Sequence, residues 1–230
     1  MKISDIQVTA LHPERWGDDL DVVNAARVSF EKEGEWEFDY LLDRYNLSTK
    51  DAKLVHYLAK HQHHSPFNHS FLKFRIKAPI FVARQLVKHK FMPWNEVSRR
   101  YVDSDPEFFF PEEWRGRAEN VKQGSSDKDI KLSWGFGGER GLDPHTMVVK
   151  CLETYQELLD QGVAPEQARM VLPQNMMTEW YWSGTLGAFL DMLRLRLDPH
   201  TQKESRDVAQ LIAAYVKEAF PVSYHAVLEN

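Results

Sequence analysis

Two periods of apolar residues run through this chain, and each marks a different kind of element. Ile6 to Ala10 alternates apolar and polar positions as a half-buried strand does, while Leu20 to Ser29 and Thr49 to His61 repeat with the period of a helix. Ser48 or Thr49 supplies an N-cap for the second helix, with Asp51 close behind it. Ser70 to Lys77 is strand-like again, its apolar positions being Phe71, Leu72, Phe74 and Ile76. It leads directly into a helical stretch from Pro79 to Lys90, with the proline at the first helical position and Gln85, Lys88 and His89 on one face. From Asn95 to Tyr101 an extended reading sets Glu96, Ser98 and Arg100 on one side and Asn95, Val97, Arg99 and Tyr101 on the other.

The C-terminal third reads as mostly helical, over Asp143 to Gln161, Pro165 to Val171 and Gly184 to Leu197. In the last of these Leu186, Phe189, Leu190, Leu193 and Leu197 form a core stripe that leaves Asp191, Arg194 and Arg196 to other faces. Gln174 to Trp182, rich in Met and aromatic residues, has the composition of core or subunit interface. Residues 115–142, with their runs of Gly and Ser, predict a flexible surface insertion. Their glycines follow no strand, so they make no dinucleotide fingerprint. No repeat or linker divides the chain, which reads as one domain of mixed α and β structure.

Length and charge narrow the function. At 230 residues with 43% hydrophobic content the chain can bury a full core and is long enough for an enzyme. Residues 84–101 concentrate Arg84, Lys88, Lys90, Arg99 and Arg100, with His89 and Glu96, around a turn at Pro93 and Trp94. Two polar faces converging across that turn suit a planar, anionic ligand such as a nucleotide. A solvated Lys and Arg face is the plain alternative, and the interleaved aromatics also suit single-stranded nucleic acid. A formal net charge of -5 and a pI of about 6.1 weigh against nucleic acid, which asks for a broad basic surface. The first residues carry no charged segment leading into an apolar stretch, and no apolar run approaches a membrane span, so a soluble, cytoplasmic protein with no membrane partner is expected. A single cysteine, Cys151, excludes an internal disulfide and a cysteine-only metal site, and its helical surroundings suit a small buried thiol better than a nucleophile. His56, His61, His63, His64 and His69 lie close in sequence but lack the Cys partners or His-Glu-x-x-His spacing of zinc sites, so no metal is expected.

Lys88-His89-Lys90 followed by Asn95-Glu96-Val97-Ser98-Arg99-Arg100-Tyr101 resembles the Arg-His-Arg triplet and downstream Ser of the flavin-dependent, or alternative, thymidylate synthases. Further matching blocks are His61 to His69, Lys77 to Gln85, Ala168 to Pro173 and Leu195 to Gln202, in the family's order along most of the chain. The resemblance implies an α+β domain with a central, mostly antiparallel sheet flanked by helices, assembled as a homotetramer with active sites shared between subunits. It implies reductive methylation of deoxyuridine monophosphate (dUMP) without a cysteine nucleophile, using FAD, with NADPH as reductant and methylenetetrahydrofolate as carbon donor. It makes Arg196 the catalytic residue, beside the uracil ring. Gln85, Lys88, Glu96, Ser98, Arg99, Arg100 and Arg169 would join it in binding dUMP. Ser65, Lys88, His89, Lys90, Glu96 and His200 would contact FAD, with His63, Thr185, Gly187 and Asp191 at further cofactor positions.

This chain also departs from that pattern. Lys88 and Lys90 replace both arginines of the triplet, so flexible point charges stand where planar forks would be. Arg99 stands where a small residue is usual, and Thr185, Gly187 and Asp191 stand where Asn, Arg and Asn would contact the cofactor. A relative making another 5-substituted deoxyuridylate, such as a hydroxymethyl product, and a non-catalytic nucleotide-binding relative are the alternatives these changes leave open.

Overall fold

Side chains along Phe71–Pro79 are alternately buried and less buried, with Leu72, Phe74, Ile76 and Ala78 facing inward, and this strand is the spine of the fold. The computed structural model describes residues 1–41, 43–102, 104–119, 124–132 and 143–229. In chain order the elements begin with β1 (Lys2–Ile3), β2 (Gln7–Trp16), α1 (Asp19–Arg27), β3 (Trp36–Asp39), β4 (Arg44–Leu47), α2 (Thr49–Lys60), β5 (Phe71–Pro79) and α3 (Ile80–Leu86). There follow β6 (Trp94–Glu96), β7 (Glu107–Phe108), β8 (Arg115–Arg117), β9 (Ser125–Asp129), α4 (Pro144–Asp160) and α5 (Pro165–Ala168). The chain closes with β10 (Met177–Thr185), α6 (Leu186–Arg196), α7 (Lys203–Ala219) and α8 (Pro221–Leu228).

The central sheet has four antiparallel strands in the order β2-β5-β10-β6. Its register pairs Trp180 with Ile76 and Trp182 with Phe74, so both buried tryptophans of β10 lie beside the inward row of β5. Onto this face pack the stripe of α6 and the apolar face of α7, including Val208, Ile212 and Val216. Phe189 meets Phe74 at 5.2 Å and Trp182 at 5.5 Å, both edge to face. The β3-β4 and β8-β9 hairpins and the short parallel β1-β7 pair lie outside this sheet. No helix of the described residues is long and apolar enough to cross a membrane.

Several sequence readings need correction. Pro79 is the last residue of β5 and the N-cap of α3, with extended φ and ψ, rather than its first helical residue. The helix stops at Leu86, short of Lys90: the chain turns at once, His89 N–H donating to the Leu86 carbonyl at 3.1 Å, and Phe91 then takes a left-handed φ of 61°. Gln85, Lys88 and His89 therefore do not share a helical face. The extended segment is also shorter than expected. Val97 still donates its N–H to the Glu179 carbonyl at 2.9 Å, but the chain then turns, with Tyr101 N–H donating to the Ser98 carbonyl at 3.0 Å. Gln174 to Trp182 does supply core, with Met176, Met177, Trp180 and Trp182 buried, and it forms most of a central strand; Cys151 is half-buried on α4 rather than fully buried. Of residues 115–142, the described part forms the β8-β9 hairpin and its flanks, while 120–123 and 133–142 lie outside the described residues.

Candidate functional site

Where β5 gives way to α3 and β6 adds to the far edge of the sheet, the surface opens into a cleft of about 930 Å³. Arg84 and Lys88 reach it from α3 and the turn beyond, Glu96 from β6, Arg99 from the following turn, and Glu166 and Arg169 from α5 and its 3-10 extension. Glu96 is fixed at both carboxylate oxygens: Thr178 Oγ1 donates to one at 2.7 Å and Trp94 Nε1 to the other at 3.1 Å. Trp94 is itself stacked on buried Trp180, with centroids 4.3 Å apart, so this acidic side chain stands on a rigid platform. Arg99 donates from Nη1 to the Ser104 carbonyl, which pins it along the wall of the cleft. Ser98 Oγ accepts from the Arg100 N–H at 3.3 Å. Arg100 Nε lies 3.7 Å from Glu166 Oε2, both side chains being about half exposed, and Arg169 Nε donates to the Glu166 carbonyl at 3.3 Å. Carboxylates equal cations around the cleft, with Lys77 paired to Glu107; Arg84, Lys88, Arg99 and Arg169 are the cations that can take a phosphate, and the fixed Glu96 carboxylate can accept from a sugar hydroxyl.

Ser98 and Arg100 stand beside the cleft rather than lining it, and other sequence-predicted residues fall elsewhere. Gln85 and Arg196 do not line this cleft. Arg196 Nε donates to His89 Nε2 at 3.0 Å and its Nη2 to the Gln85 carbonyl at 3.1 Å, while the Gln85 side chain turns to α7 and bonds Gln202 and Ser205. Burial, and then the charge of Arg196, lowers the His89 pKa to about 4, so the ring is neutral at pH 7 and offers Nε2 as an acceptor. Burial also pulls the Arg196 guanidinium below its usual value. A third group lies at the start of α6. Thr185 Oγ1 donates to Asn68 Oδ1 at 2.7 Å, and His63, Gly187 and Asp191 line a small pocket, with Ser65 in the adjoining 3-10 turn. A Cβ on Gly187 would fall 2.5 Å from Asn68 Oδ1, so the place of the expected arginine is filled by Asn68. His200 is exposed in the loop after α6, its Nδ1 3.0 Å from Asp198 Oδ1, and Lys90 is exposed beyond α3. Among the described residues no three His, Cys, Asp or Glu side chains gather to hold a metal ion. Sequence reasoning did not single out Glu166 or Thr178. Both act in the cleft through residues distant in sequence, and no local pattern marks them.

Residues 13–222 match the family model described as thymidylate synthase complementing protein. The chain is 40% identical over 220 residues to the flavin-dependent thymidylate synthase of Kosmotoga olearia, covering 94% of this chain and 87% of that one. It is 39% identical over 218 residues to that of Thermus thermophilus, covering 94% of this chain and 74% of the relative. The chain belongs to the flavin-dependent thymidylate synthase family. Among solved structures, the UMP/dUMP methylase PolB of Streptomyces cacaoi bound with 5-Br dUMP superposes with a TM-score of 0.75 at 27% identity, covering 98% of this chain and 96% of that one. As a flavin-dependent thymidylate synthase family member, the chain keeps the antiparallel sheet and its helical cover, while its triplet reads Lys-His-Lys.

Proposed function

We propose that this protein is a flavin-dependent thymidylate synthase, a methyltransferase that converts dUMP to dTMP with FAD, NADPH and methylenetetrahydrofolate, working in the cytoplasm as a homotetramer. The observation that carries the reading is family identity along nearly the whole chain together with a charged cleft lined by the motif residues Lys88, Glu96, Arg99 and Arg169. The donor set suits the anionic ligands: ammonium and guanidinium groups for phosphates, and exposed Ser65, His63 and Lys90 for the remoter parts of a dinucleotide. When bound, the flavin carries reducing equivalents that no side chain of this chain can supply.

The chain's own residues have binding and electrostatic work to do. Lys88, Arg99, Arg100 and Arg169, with Ser98, hold the nucleotide phosphate, and Glu96 accepts from the sugar. Arg196 is the catalytic residue: its permanent charge stabilises negative charge on the pyrimidine as C5 becomes nucleophilic. Neutral His89 serves that role by accepting from Nε without competing charge, which orients the guanidinium toward a ligand. Cys151, on α4, does not line the cleft, in keeping with chemistry that adds no thiolate to the ring. The separation of the Arg169 cleft from the Arg196 group supports sites completed across protomers. With dioxygen excluded, purified protein supplied with FAD should oxidise NADPH over many turnovers only when dUMP and methylenetetrahydrofolate are present, with dTMP identified by mass. A different product mass, or none, would overturn the reading.

A further inference from the structure

Arg196 hangs at the end of a hydrogen-bonded chain that starts in the β8-β9 hairpin. Arg115 donates from Nη2 to both oxygens of the Glu204 carboxylate, at 2.8 and 2.9 Å, and from Nε to Ser125 Oγ at 2.8 Å. Glu204 is 5% exposed. Burial raises its pKa, but Arg115 and the surrounding donors outweigh this and hold the carboxyl below its ordinary range. Gln202 Nε2 donates to Glu204 Oε2 at 3.0 Å, and Gln202 Oε1 accepts from Gln85 Nε2. Ser205, fully buried, donates from Oγ to Gln85 Oε1 at 3.1 Å. The Gln85 carbonyl, one of the last in short α3 and without a partner in the helix, accepts from Arg196 Nη2.

The direction of every amide in this chain follows from its charged end. An ionised carboxylate only accepts, so Gln202 must turn its NH2 to Glu204 and its carbonyl to Gln85. Gln85 must then give its NH2 to Gln202 and its carbonyl to Ser205. Reversing any one amide sets donor against donor or acceptor against acceptor. An independent contact reinforces the link. At Gly124, in the left-handed region with φ of +89°, a Cβ would sit 3.1 Å from the His200 carbonyl oxygen, so the hairpin leans on the loop that follows Arg196.

We propose that Arg115 and Glu204 are positioning residues for the methylation: through Gln202 and Gln85 they fix the end of α3 from which Arg196 is held. The proposal rests on the reading of Arg196 as the ring-contacting residue. Arg115→Met/Glu204→Met removes both charges together and leaves neither buried alone. It should lower kcat by about tenfold or more, with KM for dUMP changed less than about threefold. Glu204→Gln, which must set an NH2 against either Arg115 or Gln202, should lower kcat as well. A second readout needs no turnover: in protein labelled with 15N-histidine, the His89 titration midpoint should rise in the double variant as Arg196 loosens. A folded double variant with unchanged kcat overturns the proposal. So does a fall in kcat with an unmoved His89 titration, since the ion pair would then act by another route. If the double variant does not fold, Gln202→Met cuts the same chain without touching a charge and is read by the same two measurements. If the wild type does not act on dUMP, the functional reading fails by itself, and the His89 titration alone decides the link to Arg196: a raised midpoint supports it and an unmoved one sinks it.

Discussion

At the scale of single residues, the Arg196–His89 pair sets two expectations. Arg196→Ala should leave the fold intact and lower kcat by on the order of 10²–10³ or more, the cost of losing a preorganised charge at the reacting ring. Near-normal dTMP formation by that variant would remove Arg196 from the mechanism. The second expectation concerns acid. His89 has a folded pKa of about 4 against about 6.5 when unfolded. Between those values the unfolded chain carries a proton there that the folded chain refuses, so stability falls as pH drops from 6.5 to 4 and is unaffected above 7. With the half-exposure of this ring discounted, the loss is about 1–2 kcal/mol. Denaturant unfolding at pH 7 and pH 5 should show a smaller acid loss in His89→Gln than in wild type, and equal losses would refute the assignment. The same residues show why the site was only partly legible. His89 and Arg196 were each picked out by motif, but their contact joins residues far apart in sequence and depends on where α3 ends.

At the scale of elements, local chemistry was legible wherever it was self-contained. Ser48 caps α2 as expected, its Oγ accepting from the Asp51 N–H at 3.0 Å, and β5 shows its alternation openly. The strand β10 was hidden because Trp180, Tyr181 and Trp182 are all aromatic, so the side that faces in could not be told from the side that faces out; the structure buries both tryptophans and exposes the tyrosine. The length of α3 was missed because no Gly or Pro marks its end: the chain leaves the helix at Val87, His89 N–H donating to the Leu86 carbonyl, while Phe91 and Pro93 come only later. Capping can also come from outside the helix. Phe220 gives α8 no side-chain cap; instead Asp19 of α1 accepts from the Val222 and Ser223 N–H groups at 2.8 and 2.9 Å and from Ser223 Oγ at 2.5 Å. Asp19→Ala would leave those donors buried without a partner and should cost about 2–3 kcal/mol. A lowered denaturation midpoint with KM for dUMP unchanged is the expected result. An unchanged midpoint would show that water replaces the carboxylate there.

At the scale of the whole molecule, one chain keeps its functional groups apart. Lys88, Glu96, Arg99 and Arg169 share one cleft, Arg196 and His89 sit together outside that cleft, and His63, Gly187 and Asp191 line a third region at the start of α6. On the proposed function, a reaction that brings phosphate binding, ring stabilisation and cofactor to one nucleotide would need these surfaces to meet, and the proposed closed assembly would supply the way, because a patch on one protomer can face a different patch on the next. The consequence is a test that a self-sufficient monomer cannot pass. Arg169→Ala and Arg196→Ala homo-oligomers should each be nearly inactive. When the two are dissociated, mixed in equal amounts and reassembled, a site that draws Arg169 from one protomer and Arg196 from another will be intact in about a quarter of cases, and activity should return to about that fraction of wild type. Recovery is possible only if no single protomer must supply both arginines. Mixed protein that reassembles to the wild-type size and stays inactive would place both residues in one chain's site and refute the shared assembly.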